Sequence, residues 1–328
     1  MKKTLLIIGA GASKAVYQYF PTGFELIEKI NSHLFNDIND SPLRKNHEGE
    51  YVSDLTNKLV KMLEMSDENE DVANKLKIYK KALYDYWAHH ESDVMRQNLL
   101  SNISIDDFTE TNKEHSYFTL ISQYATAHIL RGTEHAYFQA TNKSSAHWIK
   151  ILCKQMDQKR REQLNLQDNL YVVSFNYDRL FPYLIKGYKF QEANIFGTTC
   201  EAFLKSSIHY MYGSLGSLEE IPFESPNDSM DKMIAAYTKF DLLTPKRPKK
   251  EWADKDSFDE IAFIGFGFDR LNFANLDLSR FHNCIVRSTF FGEEIPQHQS
   301  SLLENLFDKN KLLYHKNADE LAQHLFTP

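Results

Sequence analysis

Short, continuous apolar runs dominate the start and the second half of the chain, where strict alternation of apolar and polar residues is uncommon. These runs are Leu5–Ile8, Leu170–Ser174, Ile208–Tyr212, Ile261–Ile264, Cys284–Ser288 and Leu312–Tyr314. A continuous apolar run is typical of a strand buried on both faces of a parallel sheet. Helical stretches lie between several of the runs, so the pattern predicts an α/β fold with a doubly wound, mainly parallel, Rossmann-like sheet.

Residues 33–165 show a different pattern, in which apolar side chains recur at helical spacing. The clearest sets lie within Val72–Trp87, Phe118–Ile129 and Trp148–Met156. This period predicts amphipathic helices, and the polar stretch Asn36–Glu50 is the predicted entry loop. We therefore predict a helical module, 33–165, inserted into a Rossmann-like domain that consists of 1–32 and 166–328.

The first residues allow two interpretations. Lys2 and Lys3 precede an apolar stretch and several small residues, an order that signal peptides also show. The apolar core is only about eight residues long, however, and Lys14 stands where cleavage would be expected. We favour a buried strand that turns on its glycines into a helix.

Composition and charge exclude several classes of protein. The 328 residues are 42% hydrophobic and 25% charged, which excludes a disordered or fibrous chain. A net charge of −7 disfavours a dedicated nucleic-acid binder. The basic runs Lys159–Arg161 and Lys246–Lys250 are interpreted as a helix end and an exposed loop. From the net charge and these basic runs, we do not expect nucleic acid as a partner. No apolar run approaches the ~18–20 residues of a membrane span, so we do not expect a membrane as a partner either.

Cysteine is scarce. Cys153, Cys200 and Cys284 are the three cysteines, and no two are close in sequence. This spacing argues against a disulfide framework and against a cysteine zinc site. We therefore expect no metal and a cytoplasmic location.

The segment Gly9-Ala10-Gly11-Ala12-Ser13 directly follows the first predicted strand. Glycines let backbone N–H groups approach a phosphate, and the start of the next helix adds partial positive charge. The dinucleotide motif Gly-x-Gly-x-x-Gly is incomplete because Lys14 occupies its last position. An ordinary dehydrogenase is therefore disfavoured, and a tight strand-to-helix turn stays open as the alternative to a phosphate site.

Three further strand exits carry polar or small residues. They are Ser174–Asp178, Tyr212–Gly216 and Gly265–Asp269. Each has a structural explanation of its own, since Asp178 suits a helix cap and the glycines suit turns. The carboxyl ends of parallel strands meet at one edge of a sheet, where ligands bind. The four exits together therefore predict one ligand cleft.

In this order, the motifs resemble those of the sirtuin-like NAD-binding domain, and more narrowly of its bacterial branch of anti-phage defence effectors that hydrolyse NAD. The segments that carry the resemblance are Gly-Ala-Gly-Ala-Ser at 9–13, Phe-Asn-Tyr-Asp at 175–178, Gly-Ser at 213–214 and Ile-Gly-Phe-Gly-Phe-Asp at 264–269. Pro21–Leu26 and Ser104–Phe108 are also similar to that branch. The resemblance covers 1–30 and about 100–292, and it implies NAD as the substrate.

The resemblance also implies roles for individual residues. Asn176 would orient water or ribose hydroxyls near the glycosidic bond, and Asp178 would face the nicotinamide amide. The implied pyrophosphate cradle is Gly9, Ala10, Gly11 and Ser13. The implied ribose and adenine lining is Gly213, Ser214, Gly265, Phe266 and Gly267.

Two features depart from the family. Deacetylating sirtuins carry a four-cysteine zinc module that three cysteines cannot form. The family's catalytic His directly precedes the glycine of the third motif, and Tyr212 occupies that position here. His209 lies three residues upstream, so on a regular strand it faces the opposite side and would reach the cleft only through a bulge. A packed histidine is the alternative.

Two hypotheses follow. The first is an NAD+ glycohydrolase that cleaves the nicotinamide–ribose bond as a homo-oligomeric effector of bacterial anti-phage defence, with a defence-system protein as a further partner. Loss of one general base typically costs ~10²–10⁴-fold in rate, so slow turnover with Tyr212 in the His position is compatible with it. The alternative is a weakly active or inactive sensor or assembly subunit that binds NAD or a related nucleotide.

Overall fold

The computed structural model divides into two compact units. The sheet unit comprises 1–20, 136–214 and 245–328, and the second unit comprises 21–135 and 215–244. The structure describes residues 2–32, 44–45, 51–52, 97–102, 104–112, 116–141, 143, 147–160, 169–190, 200–224 and 258–326. The predicted helix over Val72–Trp87 and the basic run Lys246–Lys250 lie outside the described residues. The predicted division at 33 and 165 stays a prediction.

A six-stranded parallel sheet forms the core of the sheet unit. Its strands are β1 (Thr4–Ile8), β4 (Leu170–Ser174), β5 (Ile208–Tyr210), β6 (Glu260–Ile264), β7 (Ile285–Thr289) and β8 (Leu312–His315). They lie in the order β5-β4-β1-β6-β7-β8. Counted along the chain, this order is 3-2-1-4-5-6, which is that of Rossmann dinucleotide-binding folds. The predicted α/β, parallel, Rossmann-like fold is confirmed.

The sheet is built from the apolar runs. Leu5, Leu6 and Ile7 are fully buried because β1 is central and pairs in parallel with both β4 and β6. Thr4–Ile8 is thus a strand, as the strand interpretation of the first residues predicted. The predicted strand Ile208–Tyr212 is two residues too long, since β5 ends at Tyr210.

Helices follow most strands of the sheet unit. They are α1 (Ala10–Val16), α5 (Trp148–Arg160), α6 (Leu180–Gly187), α7 (Cys200–Ser207), α8 (Arg270–Leu276), α9 (Gln297–Leu306) and α10 (Ala318–His324). The predicted run Leu312–Tyr314 corresponds to β8, which lies between α9 and α10 in the chain. Within the described residues, no helix is long and apolar enough to cross a membrane.

The described part of the second unit is largely helical. It contains α2 (Gly23–Asn31), α3 (Ile105–Thr111), the larger part of α4 (Ser116–Gln139), and a two-stranded antiparallel ribbon of β2 (Arg44–Lys45) and β3 (Tyr51–Val52). β2 falls inside the predicted entry loop Asn36–Glu50.

Two of the family-like segments are helix starts in this unit. Thr22 caps α2, and its backbone N–H donates to Glu25 Oε2 over 2.8 Å, which completes a capping box. Ser104 caps α3 by accepting from the Asp107 backbone N–H over 3.1 Å. Helix capping therefore accounts for Thr22, Glu25 and Ser104.

Candidate functional site

The exits of β1 and β6 interlock at the point where the strand order reverses. Gly265 has a φ of +60°, and a Cβ added there would lie 2.0 Å from the backbone nitrogen of Ala12. A Cβ added at Gly9 would lie 2.4 Å from the carbonyl oxygen of Gly265. Only glycine fits at these two positions, so the first and fourth motifs meet at the topological switch point, where open α/β sheets bind ligands.

The backbone donors of the first loop are largely engaged within the protein. The Gly9 N–H donates to Ile264 O and the Gly11 N–H to Gly265 O, each over 3.0 Å, and the Ala12 N–H donates to Gly9 O over 2.9 Å. The glycines are therefore explained in the first place by the close packing of the two loops. Pyrophosphate binding by Gly9, Ala10, Gly11 and Ser13 stays a prediction.

Three buried polar side chains meet beside these loops. Asn176 Nδ2 donates to Ser13 Oγ over 3.0 Å, and Ser13 Oγ donates to Asp178 Oδ1 over 2.9 Å. Ser13 is on α1, whereas Asn176 and Asp178 follow β4. The parallel pairing of Ile8 with Ser174 brings them together although 163 residues separate Ser13 from Asn176.

The single proton of the Ser13 hydroxyl fixes the orientation of the Asn176 amide. A serine hydroxyl carries one proton, and Ser13 gives it to Asp178, so Ser13 can only accept from Asn176. The Asn176 nitrogen therefore faces Ser13, and its oxygen faces away. Asn176 is 5% exposed, and among the described residues its Oδ1 has no hydrogen-bond donor. A buried acceptor without a donor costs about 1–3 kcal/mol, so it marks a place where a ligand or water supplies the donor.

Asp178 has a second, structural task. Its Oδ1 also accepts from the backbone N–H of Leu180 over 3.0 Å, which satisfies a donor at the start of α6. The capping role anticipated from the sequence is thus present, together with the bond to Ser13. The predicted contact of Asp178 with nicotinamide stays a prediction.

Tyr212 is tied to the helix that follows β6. It is buried, its hydroxyl donates to Asn272 Oδ1, and Asn275 Nδ2 donates to the hydroxyl over 3.2 Å. Asp269 caps α8 and accepts from Asn272 Nδ2 over 2.6 Å and from its backbone N–H over 2.8 Å. Tyr212 therefore joins the β5 exit to α8, a contact that the sequence analysis missed.

His209 stays on a regular strand. It pairs with Val173, which pairs with Ile7, so its side chain lies in the row before the last row of the sheet. The Met211 N–H continues the ladder by donating to Ser174 O over 2.9 Å. Between Ile208 and Met211, all described, the strand has no bulge that would turn His209 towards the cleft.

The other predicted lining residues differ in their surroundings. Phe266 is buried and packs edge-to-face on Phe175 at 4.9 Å between ring centroids. Gly213 has a φ of +79°, which favours glycine, and Ser214 is half-buried. Gly267 is exposed, and a Cβ added there would meet nothing within 4 Å. Packing therefore explains the glycine at 265 and leaves the one at 267 unexplained.

Trp148 is a further residue next to the first loop. Its Nε1–H donates to the carbonyl oxygen of Ala12 over 2.8 Å, and its ring stacks on Phe181 at 5.6 Å. The sequence indicated Trp148 only as an apolar position of a helix. Its indole N–H therefore links α5 to α1.

The cysteines have the character of core residues. Cys153 and Cys284 are buried, and desolvation is the main cause that raises the pKa of both thiols, that of Cys284 to about 12. Both are therefore protonated at neutral pH and poor nucleophiles. In the part of the chain that the structure describes, no group of three or more His, Cys, Asp or Glu side chains could hold a metal ion.

Comparison with known proteins leaves the family open. No protein-family model matches this sequence, and no curated protein is significantly similar to it. The sirtuin-like resemblance therefore rests on the sequence motifs alone.

Proposed function

We propose that this protein is an NAD+ glycohydrolase of the sirtuin-like kind. The strand order 3-2-1-4-5-6 and the glycine loops at its switch point support a dinucleotide as the ligand. The observation that carries the proposal is the Asn176 amide, which Ser13 and Asp178 hold with a buried acceptor oxygen still in need of a donor.

The reaction is the hydrolysis of NAD+ to nicotinamide, ADP-ribose and a proton. Water adds to the anomeric carbon of the ribose as the bond to nicotinamide breaks, and the bonding electron pair leaves with the nicotinamide nitrogen. Such reactions pass through an oxocarbenium-like state. Because nicotinamide departs as a neutral molecule, its departure needs no general acid, and one proton of the attacking water passes to solvent.

Asn176 positions the reactants in this proposal. Its Oδ1 accepts a hydrogen bond from the attacking water or from a ribose hydroxyl. Ser13 and Asp178 keep the amide from turning over, and a preorganised group of this kind needs no rearrangement at the moment of reaction. The pyrophosphate lies along Gly9–Ser13, and Asp178 lies beside the nicotinamide amide.

The biological role proposed with this activity is NAD depletion in bacterial anti-phage defence. In that role the protein acts in the cytosol as a homo-oligomer, with a partner protein of the defence system. The resemblance of the four motifs to defence effectors is the basis for this part of the proposal.

Release of free nicotinamide from NAD+ tests the activity. Purified protein is incubated with NAD+ over a range of protein concentrations that covers its oligomeric states, and nicotinamide and ADP-ribose are quantified by chromatography. We expect both products in equal amounts. Binding of NAD+ without nicotinamide release at every protein concentration would contradict hydrolysis.

A second candidate function is an NAD- or nucleotide-binding sensor or assembly subunit without turnover. The observation that favours it is Tyr212, whose hydroxyl is engaged by Asn272 and Asn275 at the position where the family has its catalytic His. The same assay separates the two candidates, because a sensor binds NAD+ and leaves it intact.

A further inference from the structure

Phe291 is a large apolar side chain that stands out at the exit of β7. It is 63% exposed, whereas the preceding Phe290 is buried. The segment that carries both is anchored, since Gln299 Nε2 donates to Thr289 O over 3.0 Å and the Phe290 N–H donates to His315 O over 3.2 Å. The Phe291 side chain therefore projects from an anchored backbone and keeps most of its surface exposed to solvent.

The position of this ring distinguishes it from ordinary exposed apolar residues. A Cβ added at Gly11 would lie 2.8 Å from both Cε2 and Cζ of Phe291, so the ring edge lies directly on the Gly11 backbone. Isolated apolar residues on a surface need no explanation. This one lies on the first glycine loop, at the switch point of the sheet.

The chemistry of the ring indicates which part of a ligand it would meet. Glu293 and Glu294, which follow Phe291 closely in the sequence, are exposed and put negative charge just beyond the ring in the chain. An exposed aromatic face suits a planar, uncharged heterocycle, because bases stack on aromatic side chains.

The sheet order separates the backbone of Phe291 from the backbone of Asn176. Asn176 follows β4 and Phe291 follows β7, and these two strands are three strand spacings apart, or roughly 14 Å. An extended dinucleotide covers such a span, with one base at each end. Under the proposed function the nicotinamide lies at Asn176, which leaves the adenine for Phe291.

We propose that Phe291 is a stacking platform for the adenine of the bound dinucleotide. The inference rests on the proposed function for the assignment of adenine to this end of the crevice. Gly11 then has a second task, because any side chain at position 11 would displace the ring. Phe291 sets the preference for an adenine-bearing ligand and takes no part in bond cleavage.

Calorimetric titrations with ADP-ribose, AMP and nicotinamide mononucleotide test this assignment. We expect Phe291→Ala to weaken ADP-ribose and AMP about 10-fold or more and to leave the affinity for nicotinamide mononucleotide unchanged. Phe291→Trp keeps the affinity for ADP-ribose, and its added fluorescence is quenched by AMP. Leu313→Ala, which trims an apolar residue 40% exposed on β8, is the matched control and keeps the wild-type affinities.

Unchanged or tighter ADP-ribose binding by Phe291→Ala would overturn the inference, as would an equal loss for AMP and nicotinamide mononucleotide. The two proposals fail separately. If the wild type releases nicotinamide but Phe291→Ala keeps its ADP-ribose affinity, only the stacking platform is wrong. If ADP-ribose binding depends on Phe291 but no nicotinamide is released, hydrolysis is wrong and the platform stands.

Discussion

Ser13 Oγ donates its proton to Asp178 Oδ1 over 2.9 Å and is therefore the acceptor for Asn176. The loop after β1 thus sets the orientation of an amide that follows β4. The two loops form one polar unit, in which Asp178 acts on Asn176 through Ser13.

Ser13→Ala removes the middle of this unit. Asn176 Nδ2 loses its acceptor and Asp178 loses a donor in a buried site, so we expect a loss of about 1–3 kcal/mol in the free energy of unfolding. Turnover of NAD+ should fall as well, because the Asn176 amide is no longer held in one orientation. Thermal melts and the nicotinamide assay measure the two effects.

Ser300→Ala is the matched control, since its hydroxyl bonds within its own helix to Gln297 O at an exposed position. It should leave both quantities near wild type. A Ser13→Ala protein with unchanged melting temperature and turnover would show that the hydrogen-bond chain does not form in solution.

Tyr212→Phe tests the link between the β5 exit and α8. The substitution leaves the buried Asn272 Oδ1 without its donor, so we expect a loss of about 1–3 kcal/mol in stability and a modest loss of turnover. Tyr19→Phe, in a residue 58% exposed, is the control for removal of a hydroxyl and should melt as the wild type does.

His209→Ala is assayed beside Tyr212→Phe. We expect it to keep its turnover, because the regular strand holds His209 one row before the cleft. If turnover were lost only in His209→Ala while its thermal melt showed a folded protein, the family's His would have moved three positions and the strand would differ in solution.

Gly265→Ala tests the interlocked glycine loops. A methyl group at this position meets the Ala12 nitrogen at 2.0 Å, and φ is +60°, so we expect strong destabilisation and a poor yield of folded protein. Gly267→Ala is two residues away and meets nothing within 4 Å. It should be as stable as the wild type or about 0.4–1 kcal/mol more stable. Equal melting temperatures for both variants would contradict the contact.

The sequence pattern predicts the sheet well because each strand is a short apolar run between polar or glycine-bearing segments. Leu170–Ser174 coincides with β4, and the predicted Ile261–Ile264 lacks only Glu260 of β6. Tyr212 was placed in a strand because it continues an apolar run. It lies beyond β5, which ends at Tyr210, and its hydroxyl bonds to Asn272, a partner 60 residues away that periodicity does not reveal.

The position of the candidate site could be predicted from the sequence, but the hydrogen bonds between its side chains could be predicted only in part. Asn176 and Asp178 follow a strand, so their place at the sheet edge follows from topology. The bond between Ser13 and Asp178 depends on side chains 165 positions apart, and no local pattern encodes it. No sequence motif marks Phe291, because only the three-dimensional fold places its ring on Gly11.

We expect His315 to make the stability of the sheet unit depend on pH. Burial and, secondly, the Arg287 guanidinium lower its pKa, and His324 adds to this, whereas Glu320 acts in the opposite direction. A lowered pKa means that the folded state binds fewer protons than the unfolded state. The stabilisation is therefore complete above the ordinary value of about 6.5 and is lost as the pH falls through it towards the folded pKa.

Melting temperatures at pH 7.5 and 5.5, bracketing the ordinary pKa of about 6.5, check this effect. The wild type should lose more stability between the two values than His315→Gln does. His298→Gln, at an exposed position on α9, should behave as the wild type. An equal pH response of the wild type and His315→Gln would contradict the assignment.

The rate of nicotinamide release by Asn176→Ala, measured beside its affinity for ADP-ribose, tests the central claim most directly. Ser13 and Asp178 offer no substitute for the Asn176 Oδ1 acceptor, so we expect nicotinamide release to fall by about 10²-fold or more while ADP-ribose still binds. Asn310→Ala, which removes an exposed amide near β8, should keep the wild-type rate. Full turnover by Asn176→Ala would contradict the proposal that the oriented Asn176 amide carries the chemistry.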